Sequence, residues 1–356
     1  MPRIAFLPVL ALLALVSLAS AGVLLVARFG PPQLAAHIAF ALGVMPLILS
    51  AIGYFVPVLT RGSPQEGPAS IAAQLAAVAG ALAVFAFAGG GNPAHFASAA
   101  GVAGMACLIS LSWLLLRTRR MLGPRHRGLD WYAAALGVLL LALLAVVLMP
   151  AIPEWRNELR RFHLHANLLG FVGLTAVGTL QVLLPTSMGR ADPGAALRLR
   201  RDVAWATTGT VLVAAGSAWA SRGPAGAIMA IVGALIYLRV LGSMLLDWWR
   251  TFGPTLAGVH GAGASLVAAA CGFALLLAAG IAHAAGAGSA RAAIAGFVIA
   301  FLLPLVSGAV AQLLPVWLRP GVQGDWHHRL RARLGRWAGA RGWTLVLLGI
   351  GLTLAN

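Results

Sequence analysis

The chain has 356 residues, of which 60% are hydrophobic and only 9% charged, which excludes a water-soluble globule, whose surface could not be solvated. The net charge of +17 comes from arginine alone, with no lysine. Those arginines sit in short connections between apolar runs, where they set topology, so the basic balance points to a membrane and not to nucleic acid.

Apolar segments fall at about 4–27, 33–60, 69–89, 95–116, 131–150, 162–186, 203–220, 225–246, 256–282, 292–317 and 338–354. Each is long enough to cross a hydrocarbon core of about 30 Å as a helix, and helices are required because lipid offers the backbone no partners. The first run follows Arg3 and includes Leu18-Ala19-Ser20-Ala21, like a secretory leader. It continues through Val26, which favours an uncleaved first span. No hydrophilic stretch is long enough to fold alone, so residues 1–356 read as one transmembrane domain of about eleven spans, twelve at most.

Arginine placement fixes the expected orientation. With the N-terminus in the cytoplasm, the inner side holds Arg3, Arg61, five arginines over 117–127, four over 190–201, Arg250 and six over 319–341. The outer side holds Arg28, three over 156–161, Arg222 and Arg291, and Arg239 lies within a span. Eighteen inside against six outside is the bias expected of a multi-pass protein of the bacterial inner membrane. In the inner segment 326–337, Trp326, Leu330, Leu334 and Trp337 recur at helical spacing among arginines, which predicts a basic helix lying on the inner leaflet. The His327-His328 pair within it reads as a solvated loop pair in preference to a metal site. Cys107 and Cys271 both lie in apolar runs and read as packing residues, not as a disulfide or metal pair.

Three spans end alike. The second ends at Pro57 with Arg61 following, the sixth at Pro185 with Arg190 following, and the tenth at Pro315 with Arg319 following. A small residue stands seven positions before each proline: Ser50, Gly178 and Gly308. Proline followed by arginine is also an ordinary way to end a helix at the cytoplasmic interface. The near-constant separation of the three prolines nevertheless favours a repeat of four spans, over about 33–160, 161–290 and 291–356, the last incomplete. Three four-helix units predict a pseudo-threefold arrangement.

Histidine is costly inside a bilayer and calls for a partner or a ligand. His37 and His165 each stand 20 residues before their repeat proline, near the outer ends of spans 2 and 6, and His163 is close by. If spans 2 and 6 are neighbours, the matched imidazoles form the axial pair of a low-spin b-type haem. The plainer reading of each ring is an interfacial histidine bonded to a carbonyl or headgroup. No Cys-x-x-Cys-His occurs, so c-type attachment is excluded.

The run His163-Leu164-His165-Ala166-Asn167-Leu168-Leu169-Gly170 through Gly178-Thr179-Leu180 to Pro185-Thr186 resembles the heme-copper oxidase subunit I superfamily, in particular its small, divergent bacterial homologues. It is also similar to the NnrS family of membrane haem–copper proteins linked to nitric oxide stress. The resemblance implies twelve helices in three arcs and haem near the outer face. It implies His37 and His165 as low-spin haem ligands and His163 as the high-spin haem ligand, with copper the alternative to a second haem at His163. The pattern also departs from the oxidases: the His-x-His lies on span 6, not span 10, where Ala295 takes the repeat position. No adjacent His-His pair within a span and no His-x-x-x-Tyr is present, so the copper site of the oxidases is missing, and no mid-span carboxylate is present to form their proton channels, which together argue against proton-pumping terminal oxidase activity.

Three functions stand open at this level. The first is a haem protein of electron transfer or of the nitric oxide and respiratory stress response, with a respiratory or copper-protein redox partner and with Arg160 and Arg161 placed to pair with haem propionates. The second is an anion or small-molecule permease using Arg239, a residue that equally suits snorkelling to the interface or pairing with Asp247. The third is a membrane assembly subunit without chemistry of its own.

Overall fold

The computed structural model describes residues 6–60, 69–121, 123–284 and 289–355. Arg3 and Arg61 of the inner-side arginines lie outside the described residues. Among the described residues every regular element is a helix and none is a strand. Eleven helices among the described residues are long and apolar enough to cross a membrane: span 1 (Phe6–Val26), span 2 (Pro32–Leu59), span 3 (Ser70–Ala88), span 4 (Pro93–Arg119), span 5 (Gly128–Leu148), span 6 (Pro153–Met188), span 7 (Ala195–Arg222), span 8 (Pro224–Ala257), span 9 (Ala262–Ala284), span 10 (Ala290–Leu318) and span 11 (Asp325–Leu354). The chain is an all-α polytopic membrane protein, as its composition predicts.

Two spans start earlier than their apolar runs. Span 6 begins at Pro153, not near 162, and span 7 at Ala195, not near 203. Their first turns are charged, so hydropathy passes over them, although arginine, glutamate and leucine are good helix formers. Arg156, Arg160 and Arg161 therefore stand on helix, not loop. In span 7, Arg198 and Asp202 are buried, and Arg201 grips the Asp202 carboxylate through Nε at 2.6 Å and Nη2 at 2.9 Å.

Span 11 has two parts. The predicted basic helix runs Asp325–Gly335 and the membrane-length helix Ala338–Leu354. Trp337 breaks them apart at a φ of 59°, in the left-handed region, and its N–H donates to His260 Nδ1 at 3.0 Å. The expected solvated histidine pair holds for His328 alone. His327 is buried, accepts the Gly324 N–H through Nδ1 at 3.1 Å, and places Nε2 2.8 Å from Arg319 O. A ring bonded on both nitrogens ties the basic helix to the end of span 10 and caps its first turn.

Spans 2, 6 and 10 share a departure from α-helix that the residues did not announce. Each contains one π-helical segment: Ile38–Val44, Ala166–Leu174 and Phe297–Leu302. Ile38 is nineteen residues before Pro57, Ala166 nineteen before Pro185, and Phe297 eighteen before Pro315. Each proline lies inside its helix close to the end, and its carbonyl is taken by a residue just beyond: Pro57 O by the Thr60 hydroxyl at 3.2 Å, Pro185 O by Arg190 N at 3.2 Å, and Pro315 O by Arg319 N at 3.0 Å. The three spans that end alike in sequence thus also share a local structure.

The contacts divide the chain into two compact units. One comprises Met1–Ala39, Leu180–Ala195 and Leu238–Asn356. In it spans 9, 10 and 11 pack on one another and span 1 on span 10. Phe273 stacks on Phe301 at 4.4 Å with Phe297 edge-on, and Ser265 Oγ donates to Pro304 O at 2.8 Å. Gly272 lies so close to Ala300 O of the π segment that a Cβ would overlap that carbonyl. The other unit comprises Phe40–Thr179 and Ala196–Tyr237. In it spans 3, 4 and 5 pack in sequence, and span 5 packs on the π segment of span 6. Gly178 lies beneath the buried Trp131, whose indole N–H donates to Leu199 O at 2.9 Å. Small residues at these seams let backbones approach, which is how helices gain packing in lipid.

Candidate functional site

His37 and His165 occupy the same local structure. His37 is the last α-helical residue before the π segment of span 2, and His165 the last before that of span 6. His37 Nδ1 lies 2.8 Å from Gln33 O, and His165 Nδ1 lies 2.9 Å from Arg161 O, in both cases the carbonyl four residues back. A carbonyl only accepts, so Nδ1 carries the proton in each ring and Nε2 carries the lone pair. That is the tautomer a metal-ligating imidazole adopts when a backbone carbonyl orients it. Both rings are half-buried. His37 belongs to the unit containing span 1, and His163 and His165 to the unit built on spans 3–5.

His163 is held differently. Its Nδ1 lies 2.9 Å from Ala142 O of span 5. The Asn167 amide nitrogen is 3.2 Å from the same ring atom but donates to His163 O at the shorter 2.8 Å. Nδ1 is therefore again the protonated nitrogen. Tying His163 to span 5 aims it at another environment from His165, as their two-residue offset of roughly 200° around a helix requires. Arg160 and Arg161 are exposed on the turns preceding the His-x-His.

The π segments form the bed on which these histidines stand. A π turn is wider than an α turn and opens its carbonyl ladder to outside donors. Leu169 O in span 6 takes the Thr210 hydroxyl and the Tyr237 hydroxyl, each at 3.4 Å. In span 2 the corresponding Ala41 O is covered by Gly80 of span 3, where a Cβ would overlap it. Single-turn π distortions concentrate at functional sites, and here they begin directly after the two matched histidines.

The remaining polar groups lie elsewhere. His95, His260 and His283 are exposed. Arg239 is exposed on span 8, and Asp247 lies 3.4 Å from Arg250. Cys107 and Cys271 are both free thiols, and Cys107 Sγ donates to Leu136 O at 3.2 Å. Among the described residues no group of three or more His, Cys, Asp or Glu side chains is arranged to hold a metal ion. The π segments were missed from sequence, where the equal spacing from histidine to proline was the available signal; the bond of each ring to a backbone carbonyl is the one that the plainer reading of these histidines expects. No family model matches this chain, and neither does any curated protein or solved structure.

Proposed function

We propose that this is a haem-binding protein of the bacterial inner membrane, with a cytoplasmic N-terminus and a heme-copper oxidase-like or NnrS-like ancestry, in which His37 and His165 are the axial ligands of a low-spin haem b. The observation that carries the reading is the matched pair of rings, each last before a π segment and each bonded through Nδ1 to the carbonyl four residues back. That bond fixes the tautomer, holds the ring plane and raises the basicity of Nε2, which is what an axial imidazole needs. A haem held by two imidazoles supplies one-electron transfer. Arg160 and Arg161 offer guanidinium partners for propionates close to His165. His163, tied to Ala142 O, is the candidate ligand for a second haem or a copper ion. The activity that follows is electron transfer or a response to nitric oxide and respiratory stress, with a respiratory or copper-protein partner.

Haem content per chain, measured by pyridine haemochrome assay, tests this directly. Purified wild type is expected to carry haem b, and His37→Ala and His165→Ala each to lose most of it. His163→Ala is expected to retain the low-spin haem. Wild type without haem, or both single variants with full haem, would overturn the proposal.

A further inference from the structure

The interior of spans 4, 5 and 6 contains a set of hydroxyls that the haem reading does not use. Tyr132 of span 5 is buried, and its hydroxyl lies 3.1 Å from Thr179 Oγ1 of span 6. One turn back on span 6, Thr175 is also buried and its hydroxyl has no partner among the described residues. Ser110 of span 4 is 1% exposed, and its hydroxyl likewise has none.

Helix geometry brings these groups to one seam. Cys107 Sγ donates to Leu136 O, which sets spans 4 and 5 in register. They are consecutive and packed together, so they run antiparallel. Ser110 lies one turn along span 4 from Cys107, on the same face, and Tyr132 one turn back along span 5 from Leu136. The two therefore lie at about the same height along the contact of spans 4 and 5. Thr175 and Thr179 share a face of span 6, and Thr179 meets Tyr132.

The lone hydroxyl of Thr175 departs from the usual habit of a threonine inside a helix. Thr118, Thr186, Thr207, Thr251 and Thr353 all donate to the carbonyl four residues back, the usual resort of a threonine inside a helix. Thr175, the first residue after the π segment Ala166–Leu174, leaves the Phe171 and Val172 carbonyls to its own backbone N–H, and its hydroxyl makes no such bond among the described residues. A buried hydroxyl without a partner is costly, and native proteins satisfy such groups with ordered water.

We propose that the seam of Ser110, Tyr132, Thr179 and Thr175 is a binding site for ordered water inside the membrane-embedded core. Water there receives or donates to the Ser110 and Thr175 hydroxyls and extends the Tyr132–Thr179 pair into one network joining spans 4, 5 and 6. The site needs no haem and stands apart from the assignment of His37 and His165.

Radiolytic hydroxyl labelling with mass spectrometry, on the purified chain in lipid nanodiscs, tests the site, because side chains touching bound water are labelled even when buried. Tyr237 is the internal control: it is fully buried and its hydroxyl is bonded to Leu169 O. The expected result is labelling of Tyr132 several-fold faster than Tyr237. Thr175→Val and Ser110→Ala are expected to slow labelling of Tyr132 while Tyr237 stays slow. They are also expected to lower the melting temperature, since each removes a partner of the water; at a dry seam, removing an unpaired hydroxyl raises it. Tyr132 labelled as slowly as Tyr237, Tyr132 labelling unchanged in both variants, or a raised melting temperature would overturn the proposal.

Discussion

His126 is half-buried in the connection before span 5, and its Nδ1 accepts the Gly128 N–H at the helix start at 3.1 Å. Burial pushes its pKa below the usual histidine value, because desolvation disfavours the imidazolium. A depressed folded pKa means that the unfolded chain takes up the proton first. This contribution to stability is therefore complete above about pH 6.5 and is lost as pH falls through the folded value. Thermal unfolding followed from about pH 8 down to about pH 5 is expected to show the wild type losing stability relative to His126→Gln, with no divergence on the alkaline side. A wild type that gains on the variant in acid would contradict the assignment. At this scale, membrane chemistry made His37, His163 and His165 legible in the sequence, because an imidazole in an apolar run stands out. Hydropathy cannot reveal that Nδ1 of His37 turns back to Gln33 O, or that His327 is buried and not solvated, since both depend on side-chain rotamer and packing.

The π segments explain why particular glycines recur next to the repeat spans. Gly80 faces Ala41 O and Leu42 Cα, and Gly272 faces Ala300 O, so a side chain at either would strike backbone that cannot move aside. Gly80→Val is expected to destabilise the protein by about 1–3 kcal/mol, as overpacking does. Gly101→Ala, which meets nothing within 4 Å, is expected to be near neutral. Thermal unfolding of the two variants in detergent checks this, and equal melting temperatures would refute the close approach. Existence and order of the spans were readable because each apolar run is long enough to cross a bilayer. The starts of spans 6 and 7 were not, because their first turns carry Arg156, Arg160, Arg161, Arg198 and Arg201, which look like loop. The likeness of spans 2, 6 and 10 was readable in Pro57, Pro185 and Pro315, whereas their π turns were not, since Ala-Phe-Ala-Leu-Gly and Phe-Val-Ile-Ala-Phe suit an α-helix equally well.

For the whole molecule, the excess of arginine in alternate connections supports the proposed cytoplasmic N-terminus. Spans 2, 6 and 10 carry the same device: a π segment eighteen or nineteen residues before a proline whose carbonyl is capped by the chain just beyond. Two of the three place histidine immediately before that segment; in the third Gly296 stands there, and Ala295 takes the position 20 residues before the proline that His37 and His165 hold in the other two. This asymmetry is what the haem proposal uses, since one axial pair requires two imidazoles and a third would have no role in it. Near-infrared magnetic circular dichroism of the purified oxidised protein reads the axial ligands themselves. The charge-transfer band of a low-spin haem between two neutral imidazoles is the predicted result; absence of haem, or a haem whose ligands are anything other than two histidines, would contradict it.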